Sequence, residues 1–269
     1  MGCDALVFGS MGDIAEVVAA DLAALGLRVV SVPFKQNTLR DEWGYGRCLH
    51  KAFIEFNPAM IFPVGCQIAA ARSCPELPLM PMAPARVLEM LDSKVLTFEF
   101  AASLGIPLPE RFGVPLPPGV VPSRDVIFKR DCSFGGSGVH RPLTMESLQN
   151  LVARETGRPC LVERYIEGED VSVDCVLIDG KFRAGCYKTV GKCQSQGPSS
   201  ARERISFPEI ENLAEHLLRA AGYRGVCGMD FRVDLSGKPF LLECNPRFTG
   251  GLSTQIASGF HIPQILWKA

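Results

Sequence analysis

The chain has 269 residues, 47% hydrophobic and 21% charged, enough to bury sizeable cores in one to three structural units. Its 28 basic and 29 acidic residues leave a formal net charge of −1, so no broad field draws it to nucleic acid or a membrane surface. No apolar run approaches the roughly 18 residues that a bilayer span requires.

The opening MGCDALVF lacks the charged region and long apolar core of a signal peptide. Gly2-Cys3 invites an acylation reading, but Leu6 stands where that signal has Ser or Thr. The expected location is the cytoplasm. ALVFGS (5–10) predicts a buried strand, followed by a helix with Asp13 as its cap and Glu16 completing a capping-box-like pair. Ile14, Val17, Val18, Leu22 and Leu25 form its apolar stripe, and Gly26 ends it. Leu27–Pro33 predicts a second strand and completes a βαβ unit. The intervening Gly9-x-x-Gly12 is not GxGxxG and no acidic residue ends the second strand, so a dinucleotide site is not expected. Met60–Val64 reads as a third strand, and Pro75–Pro84, with four prolines, as a boundary. Residues 1–90 are thus expected to form a small α/β domain.

Asp92–Leu104 predicts a helix stopped by Gly105, with Lys94 in its first turn. A cation there opposes the helix dipole unless an anionic ligand reverses the argument. DVIFKRD (125–131) predicts a strand carrying Lys129, and CSFGGSG (132–138) a glycine-rich loop whose backbone N–H groups can converge on an oxyanion. A plain flexible turn is the alternative. The loop is neither GxxxxGK[ST] nor GxSxG, which excludes a P-loop and the familiar serine-hydrolase elbow. Thr144 caps a helix running to about Glu155, and CLVERYI (160–166) is a strand. Asp179-Gly180 is a type I′ hairpin signal between strands 170–178 and 181–188. Residues 189–206, rich in Gly, Ser and charge, read as a mobile loop. The cations Lys188, Lys192, Arg202 and Arg204 either meet an anionic substrate or are simply solvated. Pro208–Ala221 is an amphipathic helix ending at Gly222. Eleven cysteines, none in a CxxC pair, read mostly as small buried apolar residues.

The stretch 226–245 is the most informative. Met229, Phe231 and Val233 alternate with Gly228, Asp230, Arg232 and Asp234, the period of a half-buried strand. Glu243 and Asn245 share one face of the next strand. A two-residue Ser236-Gly237 loop would set Asp230 opposite Glu243, Phe231 opposite Leu242, and Val233 opposite Phe240. Facing carboxylates destabilise a sheet unless a cation bridges them, and an all-oxygen set suits Mg²⁺. The alternative is a solvated acidic patch.

Glu243-Cys244-Asn245-Pro246-Arg247 resembles the metal-binding signature of ATP-grasp enzymes, with Asp230 matching the acidic residue on the preceding strand. The resemblance extends over roughly 90–260, in order and spacing, and is similar to the ATP-binding fold of carbamoyl-phosphate synthetase large chains and D-alanine–D-alanine ligases. It implies an α/β and α+β architecture. A Rossmann-like domain (1–90) would precede a small subdomain with the glycine-rich flap (91–166) and a C-terminal subdomain with the metal site (167–269), their antiparallel sheets clasping ATP. By the same resemblance Lys94, Lys129 and the flap residues Ser133, Gly135, Gly136, Ser137 and Gly138 hold phosphates. Glu163 and the backbone of Arg164 and Ile166 meet adenine, and Asp170, seven after Glu163, meets the ribose. Asp230, Glu243 and Asn245 hold Mg²⁺, for which Mn²⁺ is an admitted substitute, and Arg247 and Lys129 act on the transferring phosphoryl group. The implied activity is ATP-dependent ligation of a carboxylate to an amine (or thiol) through an acylphosphate, with small-molecule substrates and room for a homodimer. Two departures stand out: Arg130 follows Lys129 where the family often has Pro, and Gly228 occupies the place of an arginine in D-alanine–D-alanine ligases. The length after the motif leads to the expectation that the additional domains of biotin carboxylase are missing. A nucleotide-binding module without ligase activity and an unrelated metal-dependent hydrolase using Asp230 and Glu243 remain the other readings.

Overall fold

The computed structural model describes residues 2–9, 11, 13–34, 42–133, 135–192 and 199–269. Gly12 of the first turn, Phe134 of the flap, and 193–198 of the expected mobile loop lie outside the described residues. The chain opens with β1 (Ala5–Gly9), α1 (Ile14–Ala23), β2 (Val29–Val32), α2 (Glu42–Phe56), β3 (Met60–Val64) and α3 (Gln67–Ser73). The strands form a parallel sheet in the order β2-β1-β3, and every residue of β1 is buried, as its unbroken apolar run requires. Asp13 stands at the N-cap of α1, but its side chain makes no capping hydrogen bond, contrary to the capping-box expectation.

Next come α4 (Ala85–Asp92) and α5 (Lys94–Ser103). The predicted helix over 92–104 is therefore split, because Ser93 leaves helical geometry to cap α5: its Oγ accepts from the Leu96 amide and donates to Asp131. After α6 (Pro122–Asp125), strands β4 (Val126–Arg130), β5 (Val139–His140) and β6 (Cys160–Arg164) make an antiparallel sheet ordered β5-β4-β6. Helix α7 (Met145–Arg154) covers it through Leu148, which joins Phe112, Val126, Phe128 and Val162 in one core. Its capping box is present, Thr144 and Ser147 each accepting from the other's amide.

The third sheet joins β7 (Gly168–Ile178), β8 (Lys181–Lys192), β9 (Ser199–Ile205), β10 (Gly225–Asp234) and β11 (Pro239–Asn245), antiparallel in the order β11-β10-β7-β8-β9. Asp179 and Gly180 both take positive φ, the type I′ geometry. The mobile-loop expectation is corrected: 189–192 extend β8 and 199–205 form β9, since backbone pairing outweighs a polar composition. Helix α8 (Pro208–Ala220) packs Ile210, Ala214, Leu217 and Leu218 on one face of this sheet. The short helices α9 (Leu252–Ala257) and α10 (Ile262–Trp267) bring Leu252, Ile262 and Leu266 into the core that contains Ile14, Val18 and Leu22 of α1. Among the described residues, no helix is long and apolar enough to cross a membrane. Seven of the ten described cysteines are buried.

The β10–β11 hairpin corrects the predicted register in part. Asp230 does face Glu243, but Phe231 faces Leu241 and Val233 faces Pro239. The loop has three residues, Leu235-Ser236-Gly237, with Gly237 at φ 88° and the Asp234 carboxylate accepting from the amides of Ser236 and Lys238. A bulge between Asp230 and Phe231 leaves Leu242 as the extra residue. Loop and bulge shift the register in opposite senses, so the acidic pair is aligned as expected while the apolar pairs beyond it are not.

Candidate active site

Cross-strand partners point to the same side of a sheet, so Asp170, Ser172 and Asp174 of β7 share a face with Arg232, Asp230 and Gly228 of β10. Glu243 and Asn245 of β11 join them opposite Asp230 and Gly228. This polar face forms one wall of a cavity of about 610 Å³; β4, β6 and the flap supply the other.

At the acidic end, Asn245 Nδ2 lies 3.4 Å from both Asp230 Oδ2 and Glu243 Oε1. Burial, and then the neighbouring Glu243, push the Asp230 carboxyl up to about 7. Burial also acts to raise Glu243, but Lys94 and Lys129 outweigh it and hold that carboxyl below its ordinary value. Lys94, only 6% exposed at the start of α5, places Nζ 3.0 Å from Glu243 Oε2 and 2.7 Å from the Ser133 carbonyl oxygen. Arg247 donates from Nη1 to Asn245 Oδ1 at 2.6 Å, with Asp92 Oδ1 3.4 Å away. Among the described residues no group of three or more His, Cys, Asp or Glu is placed to hold a metal. The two carboxylates fit instead a hard cation that draws its remaining oxygens from a ligand, the usual habit of Mg²⁺ beside phosphates. Asn245 turns its Nδ2 to them and its Oδ1 to Arg247, so its amide would have to flip to add an oxygen. The raised Asp230 marks a pair that resists a second negative charge without such a cation.

Lys129, on β4, reaches across to β6. Its Nζ stands 2.6 Å from Glu163 Oε2, both side chains almost fully buried, and 3.3 Å from the carbonyl oxygen of Leu242, the bulge residue. At the end of β6, the Arg164 amide donates to the Glu110 carbonyl and its guanidinium pairs with the Glu110 carboxylate. The Ile166 carbonyl accepts from Arg232 Nε at 3.0 Å, and Asp170 pairs with Arg232 Nη1.

At the opposite flank of the acidic pair, the buried Asp174 accepts from Thr249 Oγ1 at 2.7 Å and from Arg202 Nη1 at 3.2 Å. Gln255 Nε2 donates to the same Thr249 oxygen. A Cβ at Gly228 would meet Thr249 Cγ2 at 2.2 Å and Asp174 Oδ1 at 2.9 Å, so a side chain at this position requires Thr249 and Asp174 to move. Of Lys188, Arg202 and Arg204, only Arg202 lines the cavity; Lys188 pairs with Glu169 and Arg204 donates to the Ser258 carbonyl.

The structure thus brings Lys94, Lys129, Ser133, Gly135, Gly136, Glu163, Arg164, Ile166 and Asp170 to one cavity with Asp230, Glu243, Asn245 and Arg247. Ser137 and Gly138 do not line it. Sequence reasoning missed Arg232, Tyr165, Asp174 and Thr249. For Arg232 a signal existed: it shares the polar alternation of Asp230. Asp174 and Thr249, 75 residues apart, meet only through the fold.

A family model described as "ATP-grasp in the biosynthetic pathway with Ter operon" matches residues 156–269. The carbamoyl phosphate synthase large chain of Thermoanaerobacter pseudethanolicus is 30% identical over 128 residues, 42% of this chain but only 12% of that protein. An L-amino acid ligase from Bacillus licheniformis superposes with a TM-score of 0.78 at 16% identity, covering 98% of this chain and 73% of the other. The biotin carboxylase domain of Hydrogenobacter thermophilus 2-oxoglutarate carboxylase, solved with MgADP and bicarbonate, gives 0.74 at 18% identity over 100% of this chain and 69% of that one. Residues 156–269 thus match an ATP-grasp family model, and the chain as a whole shares the fold of these solved structures.

Proposed function

We propose that the protein is an ATP-dependent ligase joining a small carboxylic acid to an amine. The observation carrying this reading is the convergence of Asp230, Glu243 and Asn245 with Lys94 and Lys129 on the wall of a single cavity between two antiparallel sheets. Mg²⁺ held by Asp230, Glu243 and Asn245 would neutralise phosphate charge. Lys94, at the N-terminus of α5, adds a fixed cation beside the flap, and Lys129 adds a second from β4. Glu163, Arg164, Ile166 and Asp170 lie at the far end and suit the adenosine moiety. Arg247 and Arg202 stand on either side of the acidic pair and suit a carboxylate substrate, which a planar guanidinium grips in bidentate fashion. The carboxylate oxygen would attack the γ-phosphorus and ADP would leave. An amine would then displace phosphate from the acylphosphate carbon, losing a proton. No side-chain nucleophile takes part, and burial together with Asp131 pushes the nearby Cys132 thiol up to about 12, away from nucleophilic use. The test is an ATP-consumption screen over carboxylate and amine pairs with Mg²⁺. Glu243→Ala should abolish turnover while the far-UV circular dichroism stays unchanged. A Glu243→Ala protein that still turns over would overturn the reading.

A further inference from the structure

Arg232 has no part in the family resemblance, yet its guanidinium binds three points of the adenosine end at once. Nε donates to the Ile166 carbonyl at 3.0 Å, Nη2 donates to the Tyr165 hydroxyl at 3.0 Å, and Nη1 pairs with Asp170. The side chain is only 15% exposed, and Arg232 faces Asp170 directly across the β10–β7 ladder. Tyr165 is held from a second side, Arg141 lying 3.9 Å from its ring centroid while donating to the Ser123 and Arg124 carbonyls. Tyr165 and Ile166 belong to the segment leaving β6, whereas Asp170 and Arg232 belong to the five-stranded sheet. One side chain therefore fixes the junction between the two walls of the cavity.

We propose that Arg232 is a positioning residue for the nucleoside. It locks the 165–170 segment against β10 and holds the Asp170 carboxylate oriented to accept from ribose hydroxyls. The idea rests on the proposed ATP-dependent function. A planar fork with donors in three directions is needed for this, and neither lysine nor an apolar residue supplies it. Phosphate binding, centred on Lys94, Lys129 and the acidic pair, should not depend on it.

The test is calorimetric binding of MgADP, its 2′-deoxy and 3′-deoxy forms, and magnesium tripolyphosphate, which has no nucleoside. Arg232→Met should weaken MgADP at least about tenfold and cut its preference over a deoxy form to within about twofold, while tripolyphosphate binding stays within about twofold. Arg232→Lys, which keeps the charge and is the milder variant should Arg232→Met not fold, should also lose the deoxy discrimination. Retained discrimination in a folded variant, or an equal loss for tripolyphosphate, would overturn the proposal. A wild-type protein that ignores MgADP and tripolyphosphate alike would instead overturn the ATP-dependent function, and this inference with it.

Discussion

The buried pair Lys129–Glu163 offers the sharpest energetic test of the site. Its side chains are 5% and 1% exposed and sit diagonally on β4 and β6, where Lys129 faces Leu161 and Glu163 faces Ile127. Replacing Glu163 by Gln keeps the shape but takes from the buried Lys129 ammonium its nearest counter-charge, leaving it the Leu242 carbonyl and the more distant Glu243. Breaking a buried pair in this way costs about 3–5 kcal/mol. For a chain of this size that corresponds to a drop in Tm on the order of 10 °C. An exposed pair would cost only about 0.2–1 kcal/mol. Lys129→Met should cost a similar amount, because it strands the carboxylate. The double variant should be markedly less damaged than the sum of the two, since no orphan charge remains. Chemical denaturation of the wild type, both single variants and the double gives the coupling directly. A Glu163→Gln protein within about 1 kcal/mol of the wild type, or a double variant equal to the sum of the singles, would refute the reasoning.

Gly228→Ala should destabilise the protein by about 1–3 kcal/mol through the clash with Thr249 Cγ2. Adding Thr249→Ser, which removes that methyl and keeps the hydroxyl for Asp174, should recover stability; strictly additive effects in denaturation would refute the clash. Thr144→Ala should lower stability by about 1 kcal/mol by removing the cap of α7, whereas Thr144→Asn, itself a good cap, should not. Equal losses in the two thermal melts would show that capping is not the cause.

Local rules carried the sequence reading where one chemical signal dominates. Asp179-Gly180 specified its turn, Thr144 its cap, and 60–64 a buried strand with matching ends. The acidic pair was legible because two misjudged features cancelled: a longer loop at Leu235-Ser236-Gly237 and the bulge at Leu242. That bulge could not be foreseen, since what accompanies it is a distant partner, Lys129, bonded to the Leu242 carbonyl. Strand β9 was obscured by its charge, being a sheet edge rather than a core strand. The break at Ser93 was hidden because Asp131, 38 residues away, helps cap the second helix. The clamp by Arg232 and the Asp174–Arg202–Thr249 cluster depend on strand pairing and on residues far apart in the chain, so the fold had to be known first.

The stripe of α1 shares its core with Phe248, Leu252, Phe260 and Leu266, and Asp21 of that helix meets His261 at 2.6 Å. During synthesis, the oily flank of this βαβ segment therefore waits for part of its cover, since Phe248, Leu252, Phe260 and Leu266 emerge only after β11. That part of the shelter is encoded some two hundred residues downstream, so nascent chains should lean on chaperones until α10 has been made.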